Sequence, residues 1–133
     1  MDVTPAAHAA AFWTALNLIL LLVLAVLVVR QRGIHRVALG DGGVPPLNQA
    51  IRAFGNATEY IPTALIGLGI LAFAGAPPMV IHPLGLVLFA GRVLHAVGVS
   101  RSGGVSWWRT YGVLATWTAY VALAAALLFF AIP

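Results

Sequence analysis

The sequence has no cysteine and no lysine, and only Asp2, Asp41 and Glu59 are acidic among its 133 residues. Without cysteine there is no disulfide framework and no thiolate metal site, and any thiol chemistry must use a thiol that a ligand brings. Charged residues make up 8% of the chain, against about 25% in a soluble globular domain, which argues against a water-soluble fold. A hydrophobic content of 62% and a mean hydropathy of +1.00 exclude disorder. The seven basic residues are all arginine, and the net charge of +4 is too small and too scattered for a nucleic-acid surface. No His/Asp/Glu set has the spacing of a metal site. The composition is that of an all-α integral membrane protein, with residues 1–133 expected to form one membrane domain.

The first apolar run covers Ala9 to Val29. It is longer than the ~7–15 residues of a signal-peptide core, and the first arginine follows rather than precedes it, so a retained span is expected. A polar connector is read from Arg30 through Arg32, Arg36 and the Gly40–Pro46 stretch. The second helix is expected from Leu47–Asn48 to Ala74, the third from Met79 to Val99, and the fourth from Trp107 to Ile132. Gly75-Ala76-Pro77-Pro78 and Ser100 to Ser106 are the breaks between them. Short connections make neighbours antiparallel, so an antiparallel four-helix transmembrane bundle is predicted. Gly40-Asp41-Gly42-Gly43 reads as a turn rather than a phosphate loop, since no strand precedes it. Trp13, Trp107, Trp108 and Trp117 read as interface or lipid-facing anchors.

Arginines mark one end of this bundle. Arg30, Arg32 and Arg36 follow the first helix and Arg101 follows the third, while Arg52, Arg92 and Arg109 lie near the same ends of the second, third and fourth helices. The Pro77-Pro78 turn and both termini carry no arginine. The positive-inside rule then places both basic connectors in the cytoplasm and both termini outside.

Arg52, Asn56 and Glu59 recur at i, i+4 and i+7 and share one helical face. Charge in lipid is costly, so this face is expected to point into the bundle or a wet cavity. Arg52 and Glu59 are ~10 Å apart along the axis, too far to pair within the helix. Arg92, with His95 on its face, and Arg109 are the other cations at this level. A polar contact of this kind can simply hold helices together, at about 1 kcal/mol each. One acid among three intramembrane arginines is poor glue, however, and suits an anionic ligand whose carboxylates the guanidinium forks hold. His95 alone reads as a structural histidine. His8 and His82 lie near the other end, away from the cluster.

The segment Arg52-Ala53-Phe54-Gly55-Asn56-Ala57-Thr58-Glu59-Tyr60-Ile61-Pro62 resembles the second-helix signature of the MAPEG family, the membrane-associated proteins in eicosanoid and glutathione metabolism. Its pattern is Arg, three residues, Asn, two residues, Glu, two residues, Pro, and every element is present. Gly91-Arg92-Val93-Leu94-His95-Ala96 is similar to the family's third-helix segment, and Val37–Gly43 to the connector of its bacterial branch. The resemblance implies a homotrimer that binds glutathione between subunits, as co-substrate, and adds its thiol to lipophilic electrophiles, with a peroxidase activity of the same thiolate as a variant. It implies a bacterial inner-membrane location. It also implies that Arg52, Asn56, Glu59 and Tyr60 bind glutathione with Arg92 and His95, that Arg30, Arg32 or Arg36 clamps a carboxylate, and that Arg109 is the catalytic, thiolate-stabilising arginine. Val99 stands where the eicosanoid enzymes place a tyrosine, which turns the expectation from eicosanoids toward a general detoxifying transferase.

The charge pattern of glutathione agrees independently. Its two carboxylates suit the arginines and its ammonium suits Glu59. Lowering a thiol pKa from about 8.5 by ~2 units, worth ~2.7 kcal/mol, makes the thiolate the major form at neutral pH. Two rival classes are a small four-helix multidrug transporter and a non-catalytic membrane scaffold. The transporter reading needs an acid in the first helix and a cation-attracting site. Here the first apolar run has no acid and arginines accompany Glu59.

Overall fold

The computed structural model describes residues 4–132. They form four helices, α1 (Pro5–His35), α2 (Pro45–Phe73), α3 (Pro78–Arg101) and α4 (Trp107–Ala131), in the antiparallel order expected. Prolines open α1, α2 and α3, where a missing N–H costs no helical hydrogen bond. The Thr4 hydroxyl accepts from the Ala7 N–H and the Ser106 hydroxyl from the Arg109 N–H, capping α1 and α4.

Helix α1 starts at Pro5 and α2 at Pro45, a few residues before the positions read from sequence, and one boundary differs more widely. Helix α1 does not stop at Val29 but runs on through Arg30 and Arg32 to His35, and ends where Arg36 adopts a left-handed φ of 55°. The end of apolar character is not the end of the helix, because glutamine and arginine are good helix formers. Arg30 and Arg32 are therefore helical residues rather than connector residues. Arg32 then folds the connector back: its guanidinium donates to the carbonyls of Ala38 (3.1 Å) and Gly40 (3.0 Å).

Helices α1, α3 and α4 are each long and apolar enough to cross a membrane. Helix α2 is less apolar because it carries the polar motif, but its 29 residues join the far end of α1 to the start of α3 and so cover the same depth. Helices α2 and α3 form the centre of the bundle. Each touches α1 and α4, whereas α1 and α4 do not touch each other among the described residues.

The core divides along the bundle. Toward the Pro77 turn, Trp13, Ala64, Leu68, Leu71, Ile81, Leu88 and Leu123 pack together. Trp13 is here a core residue, not the lipid-facing anchor expected from sequence. It is 7% exposed, its indole N–H donates to His82 Nδ1 at 3.1 Å, and its ring lies so close over Gly85 that a Cβ there would fall inside the indole. The other three tryptophans are exposed, as an anchoring role requires. Toward the arginine-rich end the core is smaller, built from Leu24, Ala53, Ala57, Ile61, Ala96 and Val99.

Candidate functional site

Helix α2 buries Ala53, Ala57, Ile61 and Ala64 against its neighbours and thereby turns the polar residues to the other side. Arg52 and Glu59 are exposed on the surface of the subunit, and Asn56 and Tyr60 are half-buried at its edge. The expectation that the whole face points into the bundle therefore holds only in part: Asn56 reaches inward, while the two charged residues face outward.

Behind Asn56 lies Arg92, the largest fully buried side chain, 1% exposed at the centre of α3. Its Nε donates to Thr116 Oγ1 (2.9 Å) and its Nη1 to Asn56 Oδ1 (2.8 Å), and the guanidinium carbon sits 5.0 Å from the Tyr60 ring centroid. An arginine can only donate, so the Asn56 oxygen must face it and the Asn56 amide is left for Glu59. That amide lies 3.4 Å from Glu59 Oε2, the one hydrogen bond the Glu59 side chain makes among the described residues. Asn56 thus links the buried cation to the exposed anion. Arg92 Nη2 is buried and has no partner among the described residues. An unmet donor on a charged group is costly, and is a place for an acceptor to arrive.

Two further residues frame this network, and the sequence reading missed both. Thr116 holds Arg92 from α4 while its own hydroxyl donates to the Gly112 carbonyl (2.8 Å). Tyr120 donates to the Tyr60 carbonyl and meets Thr63, with its ring edge-on to Tyr60 at 5.7 Å. A threonine or tyrosine in an apolar helix gives no positional signal in one dimension. Only the packing of α4 against α3 and α2 brings them in.

Arg52 and Arg109 belong to a second level nearer the arginine-rich end. They line a cavity of about 200 Å³ together with Asn48, Gln49, Val99, Ser102 and Gly103. Arg109, in the first turn of α4, comes close to α3 at Gly98, where a Cβ would strike the Arg109 backbone. The expected single level of polar residues is therefore two: Arg92, Asn56, Glu59 and Tyr60 at one, Arg52 and Arg109 at the other. His95 is buried on α3 against the backbone of Gly112, one turn from Arg92. Arg30 and Arg36 are exposed and their guanidinium groups make no hydrogen bond among the described residues, whereas Arg32 is engaged with the connector carbonyls. Among the described residues no group of His, Asp and Glu can hold a metal ion.

A family model described as the MAPEG family matches residues 10–129. The inner membrane protein YecN of Escherichia coli strain K12 is 39% identical over 120 residues, 90% of this chain and 90% of the relative. YecN of Escherichia coli O6:H1 is similar to the same extent, 39% over 120 residues.

Proposed function

The chain belongs to the MAPEG family of membrane proteins, and on that premise we propose that it is a glutathione transferase that joins the glutathione thiol to lipophilic electrophiles. The observation that carries this reading is the exposed α2 face. Arg52 and Glu59 lie uncovered on a subunit whose neighbouring helices are built for lipid, with the unused Arg92 donor behind them. Exposed charge at that depth is costly in a bilayer, so the face calls for a covering subunit and a polar ligand between the two. A homotrimer supplies three such clefts.

In this reading the γ-glutamyl ammonium of glutathione meets Glu59, held in place by Asn56. Its carboxylates meet Arg52 and the exposed Arg30 or Arg36, Arg32 being engaged with its own connector. Tyr60, Arg92 and His95 complete the wall. Arg109 shares the 200 Å³ cavity with Arg52 and is the cation assigned to the sulfur. Stabilising the thiolate by ~2.7 kcal/mol lowers the thiol pKa by about 2 units. The thiol proton leaves to solvent, the sulfur forms a bond to the electrophilic carbon, and the leaving group departs with its electron pair. Val99, one turn past His95, lines the cavity with an aliphatic side chain, which favours a general electrophile over an eicosanoid.

The protein lies in the inner membrane, as the name of its relative states for that protein, and the positive-inside rule supports an orientation with the arginine-rich end in the cytoplasm. Calorimetry of detergent-solubilised protein should detect glutathione binding, and a nitroaryl chloride should be conjugated at the expense of free thiol. Protein that binds no glutathione overturns the reading. Resistance to lipophilic cations without conjugation would instead favour a transporter.

A further inference from the structure

The turn between α3 and α4 has little holding it from within. Among the described residues, apart from the Ser106 cap that starts α4, its internal bonds are one from the Gly104 N–H to the Ser102 hydroxyl and a long one from Arg109 Nη1 to the Gly104 carbonyl at 3.5 Å. Two consecutive glycines, Gly103 and Gly104, leave its backbone otherwise free. Yet this turn delivers Arg109 to the cavity it shares with Arg52. What fixes the turn comes from another helix. With its nitrogen oriented toward Ser100, the Gln49 amide of α2 donates to the Ser100 carbonyl at 3.3 Å and accepts from the Gly103 N–H at 3.2 Å. One side chain thus satisfies a carbonyl at the end of α3 and an N–H of the turn at once. Gln49 also stands between two cavities. On one side is the 200 Å³ cavity of Arg52 and Arg109, on the other a cavity of about 320 Å³ lined by the connector residues Asp41, Gly43 and Val44.

We propose that Gln49 is a positioning residue: it ties the α3–α4 turn to α2 and thereby sets the separation of Arg109 from Arg52. The role rests on the reading of Arg109 as the thiolate-stabilising cation. Arg52 on α2 and Arg109 on α4 are the charged groups facing the cavity, with Ser102 and Val99 facing it from the α3 side. Of the two charged groups, only Arg109 follows the turn that Gln49 holds. Loosening the turn lets the Arg109 side chain, which reaches back to the Gly104 carbonyl, withdraw from the cavity even though its backbone stays packed at Gly98, while Arg52, on the same helix as Gln49, keeps its place. Carboxylate binding is then retained and thiol activation is lost.

The test uses the full chain in detergent with Gln49→Ala and with Gln49→Met, the second keeping the side-chain length without the amide. Three quantities are read: amide exchange at Gly103 and Gly104, the pH midpoint of thiolate absorbance from bound glutathione, and the split between kcat and KM. Two lost hydrogen bonds are expected to speed exchange in the turn by about tenfold or more. The thiolate midpoint should rise, and kcat should fall about tenfold with KM for glutathione nearly unchanged. Unchanged exchange overturns the tie itself. Faster exchange with an unshifted thiolate midpoint overturns the positioning role and leaves a merely structural contact. A wild-type protein that binds glutathione but forms no thiolate defeats the assignment of Arg109, and the positioning role with it. The exchange measurement still reports on the tie, so the two failures are distinguishable.

Discussion

At the Pro77 end of the bundle the helices meet through an indole lying over a glycine and a layer of buried leucines, while at the arginine-rich end they meet through hydrogen-bonded polar groups and open onto cavities. The two ends use helices of similar length and the same four-helix order. They differ in what is left unfinished. Trp13 fills its space and its N–H has His82 as a partner; Arg92 fills its space and still keeps an unused donor, and Glu59 keeps a nearly unused carboxylate. The Pro77 half has an unmet group of its own, the buried Asn17 amide oxygen one turn from Trp13, but it is a neutral amide, whereas the unmet groups at the arginine-rich end belong to charged side chains. Substitutions at the arginine-rich end should then change ligand chemistry while the fold persists, and substitutions at the Pro77 end should do the reverse.

The largest expected effect is at Arg109. Arg109→Leu should reduce turnover about 10²–10³-fold, the usual magnitude for a lost transition-state cation. Size-exclusion chromatography should still return the wild-type assembly. Full turnover in this variant would break the comparison at its most important point and move the activating cation to Arg92. Next is Glu59→Gln, expected to weaken glutathione by about 1.5–3 kcal/mol through loss of a charge-assisted bond. Calorimetry should find a smaller loss for an analogue lacking the γ-glutamyl ammonium. Equal losses would return Glu59 to a structural role.

At the opposite end, Gly85→Ala should cost about 1–3 kcal/mol of stability, because the new methyl group overlaps the Trp13 ring and the ring has to move. The thermal midpoint should drop while the glutathione affinity of the folded protein stays at its wild-type value. A changed affinity at unchanged stability would contradict the division of labour between the ends. The smallest effect belongs to Asp41 in the connector, whose carboxyl is held below its ordinary pKa of 3.8 by the Gly43 N–H and the Asn48 amide. A depressed folded-state pKa contributes stability that is fully present above the unfolded value and is lost as pH falls through the folded one. Melting followed from neutral pH downward should therefore be flat for this contribution until about pH 4 and weaken below it. In Asp41→Asn that acid-limb weakening should disappear.

Much of this architecture was legible in one dimension because its signals are local. The prolines at the start of α2 and α3 and the glycine–proline run after Phe73 mark the ends without reference to packing, whereas Pro5, which opens α1, was passed over for the apolar run from Ala9. The polar face of Arg52, Asn56 and Glu59 was legible for the same reason: helical spacing is a property of the chain alone. The far end of α1 was misplaced because polarity was taken as the end of the helix, whereas only Arg36 and the glycines after it break the backbone. Trp13 was misread because its burial depends on Gly85, some seventy positions away. Thr116 and Tyr120 were missed because their importance comes from contact with α3 and α2. What sequence could not give, in each case, was a distance between helices.

Helix α1 carries one more consequence. Its 31 residues extend to ~46 Å at ~1.5 Å per residue, well beyond a hydrocarbon layer of about 30 Å. The last turns, with Arg30, Arg32 and His35, must stand in the headgroup layer, so α1 works as a depth gauge that fixes how far the bundle sinks. Lipid chain length then becomes a variable the site can feel. A thinner bilayer forces the bundle to tilt or the lipid to deform, at fractions of a kcal/mol per Å of mismatch. Arg52 and Arg109, set just inside the arginine-rich end, are among the polar groups whose wetting such a mismatch alters, so bilayer thickness acts on the one cavity both arginines line.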